Sequence, residues 1–468
     1  MCFCFCPFVG AGVLAKVLIG FCIFTQTPVL ADKSPAEAPA SPPIVHHNPF
    51  SVIWNMPTAK CQEQYGIDFD LSQFDIVENR RERFQGQNMT IFYRNKLGLY
   101  PFIRKGGRFV NGGVPQEAPL EKHLVLAEMQ IEQLLASDFS GLAVIDWEEW
   151  RPLWVRNWGR MKKYQRRSEA LVRRNQSQEE FENGAMALMS RTLGLATQLR
   201  PSGLWGYYKF PDCYNYNWKK VDNYTGHCHP KDTERNNCLA WLWHKSKALY
   251  PSIYLTRPLG SSERGAMYVY YRVKEAMRIA AAFPSASGSL PVLAYARVTF
   301  AHTLQYLSRM DLEHTIGESA SLGAAGVVLW GDLGFARSKH ECRALRDYVH
   351  TLLGGYIVNV TTAARLCSGR LCHANGRCAR RHDGSSARLH LSPRSFKIVD
   401  SGWTSPRAVG DLDQQDMAQL WSSFRCVCYR GWTGEQCERS VAGRFKESKM
   451  YSRLRQPFPL KLLHAGTS

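Results

Sequence analysis

A chain of 468 residues with 45% hydrophobic and 12% aromatic residues can bury one large core plus a small one and is too apolar for global disorder. Its formal net charge of +19 points to an anionic partner: nucleic acid, a membrane surface or an acidic polysaccharide. Location decides among these, and the 15 cysteines favour an oxidising compartment.

Residues 1–31 read as a signal peptide. An apolar stretch over 9–24 is followed by Val29-Leu30-Ala31, with small residues where a signal peptidase cuts; Lys16 inside the apolar run leaves an uncleaved anchor as the competing reading. Residues 32–48, rich in Ala, Pro and Ser, form an expected flexible leader. No later run is long enough to span a bilayer, and the C-terminus lacks the hydrophobic tail of a GPI signal. The expectation is a protein of the secretory pathway, either secreted or held in a lysosomal or acrosomal vesicle. Sequons at Asn88, Asn175, Asn223 and Asn359 agree with that route and demote nucleic acid as partner.

Short apolar pieces at 50–54 and 75–77 precede a strand over 89–93. Helical spacing of Leu120, Leu124, Ala127, Ile131 and Leu134 predicts a helix over 119–136. Then comes Gly141 to Trp158, GLAVIDWEEWRPLWVRNW, in which five small or apolar residues run straight into acids, as a buried strand does at the mouth of a pocket. Strand alternation puts Asp146 and Glu148 on one face. Two carboxylates one pleat apart do not both stay comfortably ionised, and raising the pKa of one is what a general acid needs. A strand end paired with Arg151 or Arg156 is the ordinary alternative. Trp150, Trp154 and Trp158 follow at helical spacing, either as sugar-stacking rings or as helix core.

The basic run over 159–174 is a solvated helix face or an attractor of polyanions. Beyond it the pattern predicts helix 181–199, strand 204–210, helix 234–250, strand 252–256, helix 264–282, strand 291–298, helix 311–322, strand 325–330 and helix 340–353. Strand and helix alternate with strands apolar on both faces, which predicts an α/β fold, a parallel barrel of the TIM kind, over residues 49–362. No G-x-G-x-x-G follows the first strand, so a dinucleotide fold gains little support. Reactive groups of such barrels sit at the C-terminal strand ends, and those ends are Tyr93, Asp146, Glu148, Tyr208, Tyr254, Tyr295 and Trp330. Any single ring there is ordinary packing; an acid pair amid several aromatic hydroxyls suits a carbohydrate.

A last module, over 363–438, has Cys367, Cys372 and Cys378, a long gap, then Cys426, Cys428 and Cys437 with Gly431-Trp432-Thr433-Gly434 before the final cysteine. This signature is epidermal-growth-factor-like and implies the pairs 367–378, 372–426 and 428–437; a zinc cluster using His373 is the alternative. Residues 439–468 form an expected basic, disordered tail.

The stretches DWEEWRPLW, LWGYYKFPDCYN, ALYPSIYL, GESASLGAAGVVLWGD and the terminal cysteine module together resemble the animal hyaluronidases, glycoside hydrolase family 56. NMTIFYRNKLGLYP, NWGRMKKYQ and VVLWGDL look closest to the type-3 branch of that family. The resemblance runs from about residue 49 to 438 and implies a distorted TIM-like barrel with a cysteine-rich appendage. It also implies endo-hydrolysis of β-1,4 bonds after N-acetylglucosamine in hyaluronan, and often in chondroitin, by a monomer without metal or cofactor. Glu148 becomes proton donor and later base, and Asp146 the group that orients the substrate's acetamido nitrogen. The mechanism implied is retaining, with the acetamido carbonyl as nucleophile, one of the exceptions to the two-carboxylate scheme. By motif Tyr208 and Tyr254 contact the acetamido group and sugar, Trp330 walls the pocket, and Tyr93 and Tyr295 are cleft residues. Family-like pairing joins Cys61 to Cys342 and Cys213 to Cys228 and leaves Cys238 over; Lys209 beside Tyr208 is a departure that brings positive charge to the cleft. A hyaluronan-binding or adhesion protein with little turnover, and a chitinase-type barrel, are the competing readings.

Overall fold

The computed structural model describes residues 38–45, 47–172, 175–219, 223–399 and 405–441. The residues expected to form a signal peptide and nearly all of those expected to form a basic tail lie outside them. Among the described residues no helix is long and apolar enough to cross a membrane.

The strands in chain order are β1 (Ser51–Asn55), β2 (Ile76–Val77), β3 (Met89–Tyr93), the hairpin β4 (Phe102–Ile103) and β5 (Phe109–Val110), β6 (Leu142–Asp146), β7 (Leu204–Tyr207), β8 (Leu293–Ala296) and β9 (Gly326–Trp330). Apart from the hairpin they pair in parallel, in the orders β2-β1-β9-β8 and β3-β6-β7. Residues 249–252 join the two sheets through single bridges, Tyr208 to Tyr250, Leu249 to Val292 and Ser252 to Tyr295. Gly206 permits that approach, since a Cβ there would sit 2.3 Å from the Ala248 carbonyl oxygen. Across the gap from β2 to β3 side chains replace a ladder: Asn79 Nδ2 donates to the Met89 carbonyl (2.8 Å) and Asn55 Nδ2 to that of Phe84 (3.2 Å). The result is a distorted TIM-like barrel.

Alternation along the strands sorts two cores. Ile53, Ile91, Val144, Leu293, Tyr295 and Val328 fill the barrel, while Trp54, Phe92, Ile145, Trp205 and Leu329 face the surrounding helices. Those helices include α1 (Ala59–Tyr65), α2 (Leu120–Leu134), α3 (Lys162–Leu171), α4 (Ser177–Leu199), α5 (Pro230–Asn237), α6 (Ala240–Trp243) and α7 (Glu263–Ala282). After them α8 (Arg309–Leu312) runs through a π turn into α9 (Glu318–Ser321), and α10 (Lys339–Tyr348) likewise into α11 (Gly354–Leu371).

Four expectations are corrected. The helix over 234–250 stops at Trp243, whose indole N–H donates to the Asn236 carbonyl (2.7 Å); the next residues turn into the barrel, Lys247 N–H donating to Trp205 O (2.7 Å). The strand over 252–256 is a single bridge at Ser252: Ile253 N–H still donates to Tyr295 O (2.9 Å), but farther on Leu255 O accepts from Ala301 N–H (2.7 Å), beyond the end of β8. The helix over 340–353 continues to Leu371, carrying the chain without a break past residue 362 into the cysteine-rich module. The leader is not flexible throughout: Pro39 O accepts from Ser289 N–H and Ala40 N–H donates to Cys428 O, both at 2.7 Å, so residues 39–41 are pinned between the barrel and the module.

In that module β10 (Gly376–Arg380) pairs antiparallel with β13 (Phe424–Cys428), and the long insertion forms the hairpin β11 (Phe396–Val399) and β12 (Arg407–Gly410) and the helix α12 (Gln414–Ser423). The disulfides are Cys61–Cys342, Cys213–Cys228, Cys367–Cys378, Cys372–Cys426 and Cys428–Cys437. With these sulfurs bonded, the zinc reading of the module has no thiolates left. Cys238, at the end of α5, is half-buried and outside the five bridges. The module is locked to the barrel by a buried two-pronged ion pair, Arg380 to Glu318 at 2.6 and 3.0 Å. Asn88, Asn175 and Asn223 are exposed; Asn359 lies half-buried in α11 with its Oδ1 accepting from Leu391 N–H (3.1 Å), a placement that obstructs a glycan.

Candidate active site

Strand β6 ends at Asp146, and the chain then rises over the barrel mouth, so that both Asp146 and Glu148 face a groove. The groove has two arms, about 1090 and about 680 Å³, and only Asp146, Glu148 and Arg160 line both. The acid pair thus sits where the arms meet. Burial first, and the neighbouring Glu148 second, push the Asp146 carboxyl up to about 7, while Arg151 and Lys209 pull it back. Its Oδ1 is buried without a protein hydrogen-bond partner. Glu148 is set differently: its side chain is 45% exposed, with Lys209 Nζ 3.3 Å and Arg151 Nη2 3.6 Å from Oε1.

The smaller arm gathers Tyr208, Tyr254, Tyr295 and Trp330. Tyr208 donates to Ser252 Oγ (3.3 Å) and lies edge-on to Tyr295 with centroids 4.9 Å apart. Tyr254 stacks on Trp330 at 5.9 Å, and the Trp330 indole N–H donates to Tyr93 Oη (3.1 Å). Burial raises Tyr208, Tyr254 and Tyr295 well above the ordinary phenol value and Tyr93 to about 12, so all four stay neutral hydroxyls able to donate. Tyr295 is fully buried in the barrel core and forms the floor; Tyr93 stands on the side of the larger arm.

The tryptophans after β6 do not wall this groove. Trp150 is buried, donates to the Pro101 carbonyl (2.9 Å) and stacks on Tyr100; Trp154 packs on Phe181; Trp158 is exposed beside Tyr214. The segment forms no α-helix and only a 3-10 turn over Trp154–Arg156, because buried Asn157 ties it into a loop, its Oδ1 accepting from Arg151 N–H and its Nδ2 donating to Arg151 O, both 2.8 Å.

Sequence reasoning missed Arg297. Its guanidinium is buried, donates to Asp332 Oδ2 (3.0 Å) and lies 5.0 Å from the Trp330 ring centroid in the smaller arm. The signal was available: alternation puts Arg297 on the face of Tyr295, as it puts Glu148 on that of Asp146. Of the basic run, Lys162 and Arg166 are exposed on α3, whereas Arg160 and Lys163 line the larger arm.

Breaking a bond to a sugar's bridging oxygen needs a proton delivered beside a second acid and hydroxyls to hold the ring; β6, β7 and β9 bring those groups to one groove, the architecture of an O-glycosyl hydrolase barrel. The comparisons narrow the class. Residues 39–441 match the family Glyco_hydro_56, Hyaluronidase. The chain is 45% identical to Hyaluronidase-2 of Homo sapiens over 88% of its length and 90% of that protein's, and 44% identical to a hyaluronidase of Crotalus adamanteus over 86% and 92%. It is similar in structure to bee venom hyaluronidase in complex with a hyaluronic acid tetramer (TM-score 0.61, 32% identity, 66% of this chain and 98% of that one). The chain belongs to glycoside hydrolase family 56, the hyaluronidases.

Proposed function

We propose that this protein is an endo-β-N-acetylglucosaminidase that hydrolyses the β-1,4 bond between N-acetylglucosamine and glucuronate in hyaluronan. The observation that carries it is the acid pair at the junction of the two arms, where a chain lying along the groove presents an internal bond. In the empty site Asp146, pushed up to about 7, holds a proton in mildly acidic solution. An acetamido N–H donated to Asp146 favours its charged form, and Glu148 is the second acid of the pair that faces the glycosidic oxygen. The acetamido carbonyl attacks the anomeric carbon as Glu148 protonates the leaving oxygen; Glu148 then takes a proton from the water that opens the intermediate, with net retention. Tyr208 and Tyr254 donate to the acetamido group and sugar while Trp330 packs an apolar ring face. Residues 49–362 supply the catalytic barrel and 363–438 the growth-factor-like module; the protein acts as a monomer on the secretory route. Exposed Asn88, Asn175 and Asn223 are its glycan acceptors.

The ion pairs from Lys209 and Arg151 favour one second reading, a hyaluronan-binding protein with slow turnover, because both cations engage Oε1 of Glu148, an oxygen that would otherwise face the glycosidic bond. Reducing-end release from hyaluronan by parent and Glu148→Gln separates them. Hydrolysis predicts a loss of about 100-fold or more in the variant, which keeps its hold on the polymer. Equal release by both proteins sinks the assignment, and polymer retention without release by the parent establishes the binding reading.

A further inference from the structure

Arg272 on α7 is a buried cation, 2% exposed, that no step of the reaction uses. Its Nε donates to Asn215 Oδ1 (3.0 Å), Nη1 to the Ser252 carbonyl (2.8 Å) and Nη2 to the Cys213 carbonyl (2.7 Å), while Asp212 Oδ1 lies 3.7 Å from Nη2. The rings of Tyr216 and Tyr268 rest against its guanidinium, with centroids 4.6 and 4.7 Å away. Three of the residues it touches, Tyr216, Ser252 and Tyr268, line the smaller arm, and Arg272 stands behind them. An uncharged side chain of this length would pack against both rings without desolvating a charge; it could not reach three acceptors at fixed angles.

Those acceptors converge on the tyrosines. Ser252 is held in the barrel by a single bridge to Tyr295, and its Oγ accepts from the Tyr208 hydroxyl (3.3 Å), so a carbonyl fixed by Arg272 fixes where that hydroxyl points. Buried Asn215 passes the same hold to the loop closed by Cys213–Cys228: its Nδ2 donates to the Gly226 and Tyr268 carbonyls (2.8 and 3.0 Å), and its own carbonyl accepts from the Tyr224 hydroxyl (2.8 Å). One guanidinium thus ties the floor of the smaller arm to its rim. We propose that Arg272 is a positioning residue for the hydrolysis, which sets the Tyr208 hydroxyl through Ser252 and the rim of the smaller arm through Asn215 and Tyr216. The inference rests on the hydrolase reading of this groove, and the two fail in different ways.

Arg272→Lys, which keeps the charge and loses the fork, is made alone and together with Tyr208→Phe, and kcat on hyaluronan is read alongside Tm. In the parent background Arg272→Lys lowers kcat about tenfold, equivalent to about 1.4 kcal/mol, and moves KM less. In the Tyr208→Phe background it lowers kcat by less than about threefold, because the hydroxyl it positions is gone, while the fall in Tm is the same in both. A cation that only holds the fold together gives the same kcat ratio in both backgrounds, and that result overturns the inference. Arg272→Gln is the second variant, and if neither variant folds the residue serves the fold alone and the positioning role is overturned too. A parent that releases no reducing ends overturns the hydrolase reading instead; the same cycle, read as the affinity of Glu148→Gln protein for a hyaluronan hexasaccharide, then decides the positioning role.

Discussion

Asp146→Asn is predicted to make the protein more stable at neutral pH than it is at acid pH, relative to the parent, while removing its hydrolytic activity. Burial, with Glu148 next, lifts the folded-state carboxyl from the ordinary 3.8 to about 7, so the folded protein binds this proton more tightly than the unfolded chain. The sign follows. Below about pH 3.8 both states are protonated and the group contributes nothing; stability is lost as pH rises through the window to about 7, and the full amount is missing above it. A separation of about three units corresponds to roughly 4 kcal/mol. Glu148 is half-exposed, and screening of its share leaves about 2–4 kcal/mol. Asparagine cannot ionise, so it escapes that loss, although its amide brings N–H groups that need partners beside an oxygen that already lacks one. That second cost does not depend on pH, so the difference between variant and parent at pH 8, less the same difference at pH 4, isolates the ionisation. A chain of this size shifts its Tm by about 1 °C per kcal/mol, and thermal unfolding of both proteins should therefore show Asn gaining about 2–4 °C between pH 4 and pH 8. A variant-minus-parent difference that is flat across this range, or that falls, refutes the raised carboxyl and with it the proton inventory of the site.

Lys209→Met removes a positive charge that opposes the rise at Asp146, so the acidic limb of kcat/KM moves to higher pH, by about half a unit, and an unmoved profile removes Lys209 from the electrostatics of the pair. The Cys61–Cys342 bridge closes a loop of 281 residues, for which chain entropy gives an upper value of about 5–6 kcal/mol; replacing both cysteines by serine should lower Tm by several degrees, and an unchanged Tm would mean that the N-terminal segment is held by packing alone.

What the sequence yielded about this site was what short-range geometry fixes. Alternation over two residues put Asp146 and Glu148 on one face, and apolar runs between helical patterns placed β3, β6, β7, β8 and β9. It failed where a distant partner overrides the local pattern. Trp150, Trp154 and Trp158 have helical spacing, yet Asn157 folds back onto Arg151, and Trp150 enters the core while Trp154 packs half-buried against it. Residues 244–250 look helical, but the barrel needs an element between β7 and β8 and takes them. The basic run was open to two readings, a solvated face or an attractor of polyanions, and the structure divides it, Lys162 and Arg166 outward, Lys163 toward the groove beside Arg160. The same division explains how one chain can hold two electrostatic regimes a few residues apart. Next to the acids most cations have a carboxylate to answer to, Arg151 and Lys209 on Glu148, Arg94 on Glu149, Arg297 on Asp332, with Arg160 the exception, so much of the charge at the reacting bond is balanced. Along the larger arm Arg94 is paired, whereas Arg104, Lys105, Arg160 and Lys163 have no such answer within the described residues and stand open to an anionic polymer laid along the groove.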